Sequence, residues 1–68
     1  MKAKQKANEL VDRYLEYVEA YSSQGQIENA KIYALIAVEE LIEITYAASR
    51  AEYEYWLDVK REIKTIKS

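Results

Sequence analysis

Glu39 and Glu43 stand four residues apart in a helix-forming stretch, a spacing that sets two carboxylates one turn apart on one face. Paired carboxylates are the raw material of metal sites and of acid–base catalysis. Carboxylate-bridged di-iron bundles also need Glu-x-x-His motifs, and the sequence has no histidine. A hard-cation site built from helix glutamates alone would lack the loop oxygens that Ca²⁺ sites recruit. The pair therefore reads as a solvated acidic face, and no metal or cofactor is expected. With neither Cys nor His, Cys-His and Ser-His-Asp nucleophiles are ruled out. One glycine, Gly25, cannot build a phosphate-cradling loop. Ser22, Ser23, Ser49 and Ser68 fall where helix caps and termini use a hydroxyl. The chain is expected not to be an enzyme.

A second cluster interleaves rings and cations: Arg50, Tyr53, Tyr55, Trp56, Lys60 and Arg61. Aromatic platforms beside positive charge hold bases and nucleotides, so these six are candidates for binding a nucleotide messenger. The plainer reading makes Tyr53 and Trp56 core residues and turns Tyr55, Lys60 and Arg61 outward. Between the two lies an interface anchored by Tyr and Trp. Seven tyrosines and no phenylalanine suit a thin core or an interface, because Tyr tolerates one wet end and one dry end. Tyr14, Tyr21, Tyr33 and Tyr46 are the ones expected between helices.

The elements that would position these residues are helical throughout. Ala3, Ala7, Leu10, Val11, Tyr14, Leu15, Val18 and Tyr21 recur at spacings of three and four, predicting a one-faced amphipathic helix over 3–21. A turn follows over 22–25, with Gly25 expected as a left-handed cap ending that helix. From Gln26 the pattern is helical again, but the apolar sector is too wide for one face. Ile27, Ala30, Ala34, Leu35, Ala37, Val38, Leu41, Ile42, Ile44 and Ala48 cover more than half the circumference at 100° per residue. The charged wedge of Glu28, Asn29, Glu39, Glu40 and Glu43 itself contains Ile32 and Ile36. A helix apolar nearly all round is buried on several sides.

Residues 45–52, TYAASRAE, decide the architecture. Ser49 and Glu52 match a capping box that would start a third helix over about 50–66. The stretch has no Gly, Pro, Asn or Asp for a tight turn, and Tyr53, Trp56, Val59, Ile63 and Ile66 stay in phase with Val38 and Leu41 if the helix continues. The balance favours an all-α helical hairpin whose long second helix runs from about 26 to 66, with a kink or break near Ser49 into a three-helix bundle as the alternative. About 40 helical residues span ~60 Å, twice the reach of the first helix, so the bare half would need a partner. A homo-oligomer, most simply a C2 dimer, is expected. Its candidate interface is Ile32, Ile36, Glu39, Glu43, Tyr53, Trp56, Val59 and Ile63.

Composition agrees with a binding role. Sixty-eight residues make one domain, and a chain this short buries only about 60% of its unfolded surface. Without cysteines or histidines to staple it, stability must come from packing or self-association. The net charge of −2 makes a DNA mimic and non-specific nucleic-acid binding unexpected. The start (Lys2, Lys4, Lys6) and end (Lys60, Arg61, Lys64, Lys67) are basic around an acidic middle, and the C-terminal cations complement a helix dipole. The longest uncharged apolar run, Ile32 to Val38, is far short of a membrane span, and the N-terminal residues have no signal-peptide apolar region, so a cytoplasmic protein is expected.

The string AKIYALIAVEELIE (30–43), followed by YWLDVKREI (55–63), resembles small all-helical proteins of no assigned activity encoded by phages and prophages of Bacteroidetes-type bacteria. The similarity covers 23 of 68 positions, with a very short linker between the two segments. It implies a small stoichiometric binder, acting in the host cytoplasm, that inhibits or sequesters a host component such as a defence protein or its nucleotide messenger. It carries over no functional residue. The expectation is a non-enzymatic, self-associating helical binding module, with a nucleotide sponge or a purely structural assembly protein as the alternatives.

Overall fold

The computed structural model describes residues 1–19 and 22–67; Tyr21 and Ser68, assigned above to a helix contact and a terminus, lie outside them. Three helices and no strand occur among the described residues: α1 (Ala3–Leu15), α2 (Ser23–Ala48) and α3 (Arg50–Thr65). Each packs on the other two.

The expected long helix from 26 to 66 does not form, because Ser49 breaks it. Ser49 has extended backbone, φ −158° and ψ 114°, and serves both as the C-cap of α2 and as the N-cap of α3. Its N–H donates to Thr45 O at 3.0 Å, and its carbonyl accepts from Tyr53 N at 2.9 Å. The hydroxyl accepts from Glu52 N at 3.4 Å, which is the serine half of the anticipated capping box. A single residue in a region open to any side chain is enough to turn the chain, so the missing Gly and Pro were no obstacle. The shared apolar phase is equally compatible with a hairpin, since the stripe of α3 then lies back on the apolar sector of α2.

Two boundaries also differ from expectation. α1 ends at Leu15, short of residue 21, with Glu16 as C-cap and Tyr17 N donating to Tyr14 O at 2.9 Å. Gln26 Nε2 donates to Leu15 O at 3.0 Å, satisfying a carbonyl that the ended helix leaves over, and Asn29 Nδ2 donates to Glu19 O at 3.3 Å, tying the segment after α1 to α2. Ending early frees Val18 to drop into the core while Tyr17 points to solvent. Gly25 is not a left-handed cap, for no glycine has positive φ. It sits in the first turn of α2, where its N–H donates to Ser22 Oγ at 3.0 Å. The serine hydroxyl thus starts the second helix before the glycine is reached.

At 26 residues, α2 is about 39 Å long, which matches the 40 Å long axis of the molecule. α3 runs antiparallel to it, as three pairings show: Tyr46 with Tyr53, Glu39 with Lys60, and Lys31 with the carbonyl of Ile66. α1 meets the N-terminal part of α2, where Tyr14 and Tyr33 stack at 6.2 Å. With 13 residues it reaches along only about 20 Å of its neighbour. The core is the seam between the three: Ala7, Leu10 and Val11 from α1, Val18 after it, Ala30, Ala34 and Val38 from α2, and Val59 and Ile63 from α3. Ala30, Ala34 and Val38 repeat every four residues on one face, and their small size lets both partner helices approach the same line.

Candidate functional site

The core fixes which way α2 faces. With Ala30, Ala34 and Val38 inward, the opposite side carries Asn29, Tyr33, Ile36, Glu40, Glu43 and Ala47, spaced four, three, four, three and four residues apart. Ile32 and Ile44 flank that line. Ile32, Ile36 and Ile44 are 54%, 56% and 64% exposed, whereas Ala30, Ala34 and Val38 are 0% exposed. The helix therefore buries Ala30, Ala34 and Val38 completely, holds Leu35 and Ile42 half-buried against the core, and leaves three large isoleucines exposed. At the N-terminal end of this outer face, Tyr17 and Val18 stand across from Ile32, Tyr33 and Ile36. With Glu19 and Asn29 they enclose an open groove of about 440 Å³.

The electrostatics of the face are one-sided. Glu40 and Glu43 are exposed and take part in no ion pair among the described residues, and the same holds for Glu19 at the rim of the groove. The one cation of α2, Lys31, is turned toward α3, where its ammonium donates to Ile66 O and lies 3.9 Å from Glu28 Oε1. A lysine at the last carbonyls of α3 complements that helix dipole.

The eight expected interface residues divide. Ile32, Ile36 and Glu43 lie exposed on or beside the outer face. Glu39 is exposed at its edge but holds Lys60 in an ion pair to α3. Val59 and Ile63 are 0% exposed and belong to the core of this chain, so they offer nothing to a second copy. Trp56 packs against that core, and Tyr53 makes an edge contact with Tyr46 at 5.2 Å. The fold-back at Ser49 accounts for this: the stripe expected to need a partner copy is covered by α1 and α2 instead. Tyr33, Glu40 and Ile44 join the face without having been singled out for it. The four-three spacing opposite Ala30 and Ala34 is the signal that would have found them.

The six residues proposed for a nucleotide do not converge. Arg50 and Arg61 lie eleven residues apart, about 16 Å along α3. Each cation already has a carboxylate: Arg50 with Glu54 at 3.3 Å, Arg61 with Asp58 at 2.9 Å, and Lys60 with Glu39. Tyr55 and Trp56 pack edge to face on each other at 5.1 Å and against the core, which leaves no open stacking platform between them. Leu57, Lys60, Arg61 and Lys64 do line a shallow depression of about 240 Å³, but no aromatic ring borders it.

The carboxylates of Glu39 and Glu43 are separated in use, since Glu39 neutralises Lys60 while Glu43 faces solvent. Among the described residues no group of three or more acidic side chains is arranged to hold a metal ion, and no helix is long and apolar enough to cross a membrane. The chain matches no protein-family model, and comparison with curated proteins and with solved structures found no match.

Proposed function

We propose that the chain is a non-enzymatic helical binding module that works through the outer face of α2. One observation carries the reading: Ile32, Ile36 and Ile44 stand more than half exposed on a helix whose opposite face already supplies the core. Three isoleucines in water on an 8.0 kDa protein weaken solubility and contribute little to its own fold, but they form the kind of row a helix-in-groove contact uses. The lack of Cys and His in the sequence supports the non-enzymatic part. The row is open to a second copy as well as to another protein, and the charges beside it discriminate between the two. In the phage setting that the sequence resemblance implies, the bound helix would belong to a host component whose action the small chain blocks or sequesters.

The test is a selection of helical peptides from a display library against the intact protein, with an Ile32→Ser/Ile36→Ser variant as the comparison, alongside sedimentation of both proteins. The expected result is a set of binders, or a self-associated particle, that the double variant loses while remaining folded by circular dichroism. Binders that recognise both proteins equally, together with an unchanged monomer, would overturn the reading.

A further inference from the structure

The charges around the outer face of α2 specify its occupant further. Apolar side chains at Ile32, Tyr33, Ile36 and Ile44 run beside Glu40 and Glu43, with Glu19 at the rim of the groove and the only cation of α2 turned away. Carboxylates accept hydrogen bonds and donate none, so anything that covers this face must bring donors. A second copy docked about a twofold axis presents the same patch to itself. It would place two copies of Glu40 and Glu43 in one seam with no cation between them, a like-charge juxtaposition that disfavours association. An anionic surface would be repelled for the same reason.

We propose that this face docks an amphipathic helix of another protein that carries Lys or Arg beside its apolar stripe. The inference rests on the binding-module reading and names its partner chemistry. Ile32 to Ile44 spans about 18 Å, so three to four turns of partner helix fill the row. Apolar side chains at i, i+3 or i+4, and i+7 meet the isoleucines, and flanking cations reach Glu40, Glu43 and Glu19.

The experiment uses a fluorescently labelled synthetic helix of about 15 residues with a leucine stripe flanked by lysines, titrated against the intact protein by anisotropy. The same peptide with every lysine replaced by glutamate serves as the charge control, and a peptide of equal charge with the stripe scrambled serves as the apolar control. We expect the cationic amphipathic peptide to bind, the glutamate version to bind at least about tenfold more weakly, and the scrambled one not to bind. Glu40→Gln/Glu43→Gln should weaken binding several-fold and flatten its salt dependence, while Ile36→Ser abolishes it. Equal binding of the lysine and glutamate peptides, still lost in Ile36→Ser, would overturn the charge assignment and leave the docking face standing. Binding that ignores Ile36→Ser would overturn both. A dimer of the protein alone that Ile36→Ser dissolves and Glu40→Gln/Glu43→Gln strengthens would make the occupant a second copy and overturn the proposal.

Discussion

The two faces of α2 invert the usual allocation of side chains: the inner one holds Ala30, Ala34 and Val38, and the outer one holds Ile32, Ile36 and Ile44. Fully burying an isoleucine is worth about 1.5–3 kcal/mol, several times the gain from an alanine methyl. A helix shaped only by its own fold would therefore place them the other way round. The inner face is shaped for closeness. Two helices converge on its alanine line, and the fully enclosed bulk comes from their side, from Leu10, Val11, Val59 and Ile63, with Leu35 and Ile42 of α2 half-buried at its margins. The outer face gains only when something covers it. Closeness at the alanine line, more than hydrophobicity as such, fixes which side of the helix faces its two neighbours and which side is available for contact.

The inner face can be broken in two directions. Ile63→Ala removes bulk from a fully buried position, and the loss should be about 2–5 kcal/mol, read as a fall in the urea midpoint. For a domain of this size that is a large share of the total, since stability runs at about 0.05–0.15 kcal/mol per residue. Ala34→Leu adds bulk where the helices meet and should cost about 1–3 kcal/mol by the same measurement. A neutral Ala34→Leu would mean that the seam has slack, and the closeness argument would fail.

Ser49 tests the turn that allows both faces to exist. Removing its hydroxyl in Ser49→Ala strips the cap from Glu52 N and should cost about 0.5–2 kcal/mol, toward the lower end for a hydrogen bond of this length. The sedimentation coefficient should stay unchanged, because the chain reversal also depends on the packing of α3. A larger particle would show instead that the cap alone holds off an uninterrupted helix, which would then need a partner copy to cover it.

Much of this fold was legible from residues alone, and the gaps have identifiable causes. The all-helical class, the inward stripe of Ala7, Leu10 and Val11, and the S-x-x-E pattern at Ser49 to Glu52 were all readable. The break was outweighed because a continuous apolar phase looks the same in one long helix and in a hairpin. Gly25 misled because glycine after a helix usually closes it, yet Ser22 had already opened the next one. At the candidate site, Ile32 and Ile36 were visible as apolar intruders in an acidic wedge. Ile44 was not, because a sector wider than half a turn has no unique inward direction until two neighbours pack on Ala30 and Ala34. Val59 and Ile63 were assigned to a contact between copies for the same reason as the long helix, and the reversal at Ser49 returned them to the core.

Smaller effects sharpen the contrast from the outer side. Ile36→Ser exchanges a side chain already more than half in water, so its unfolding free energy should stay within about 0.5 kcal/mol of the original. A loss comparable to that of Ile63→Ala would place Ile36 among the residues that build the bundle and erase the distinction between the faces.

The smallest expected effect is a control that belongs to neither face. On α1, Lys6 Nζ lies 3.0 Å from Glu9 Oε1 and Arg13 Nη2 lies 3.7 Å from it. The hydrogen bond from Lys6 and then its charge hold the Glu9 carboxyl below the ordinary glutamate range, helped by Arg13 and opposed by partial burial. Because the unfolded chain takes up that proton more readily, the contribution is fully present above the ordinary glutamate range and fades as pH falls through the lowered value. The stability difference between the original protein and Glu9→Gln, read from urea midpoints, should therefore shrink across that acidic window and with added salt. Glu9→Gln should leave docking of the cationic peptide at neutral pH untouched, since Glu9 lies on a different helix from the isoleucine row. Were docking to fall with Glu9→Gln as it does with Ile36→Ser, binding would be following the stability of the whole bundle, and the outer face of α2 would lose its separate standing.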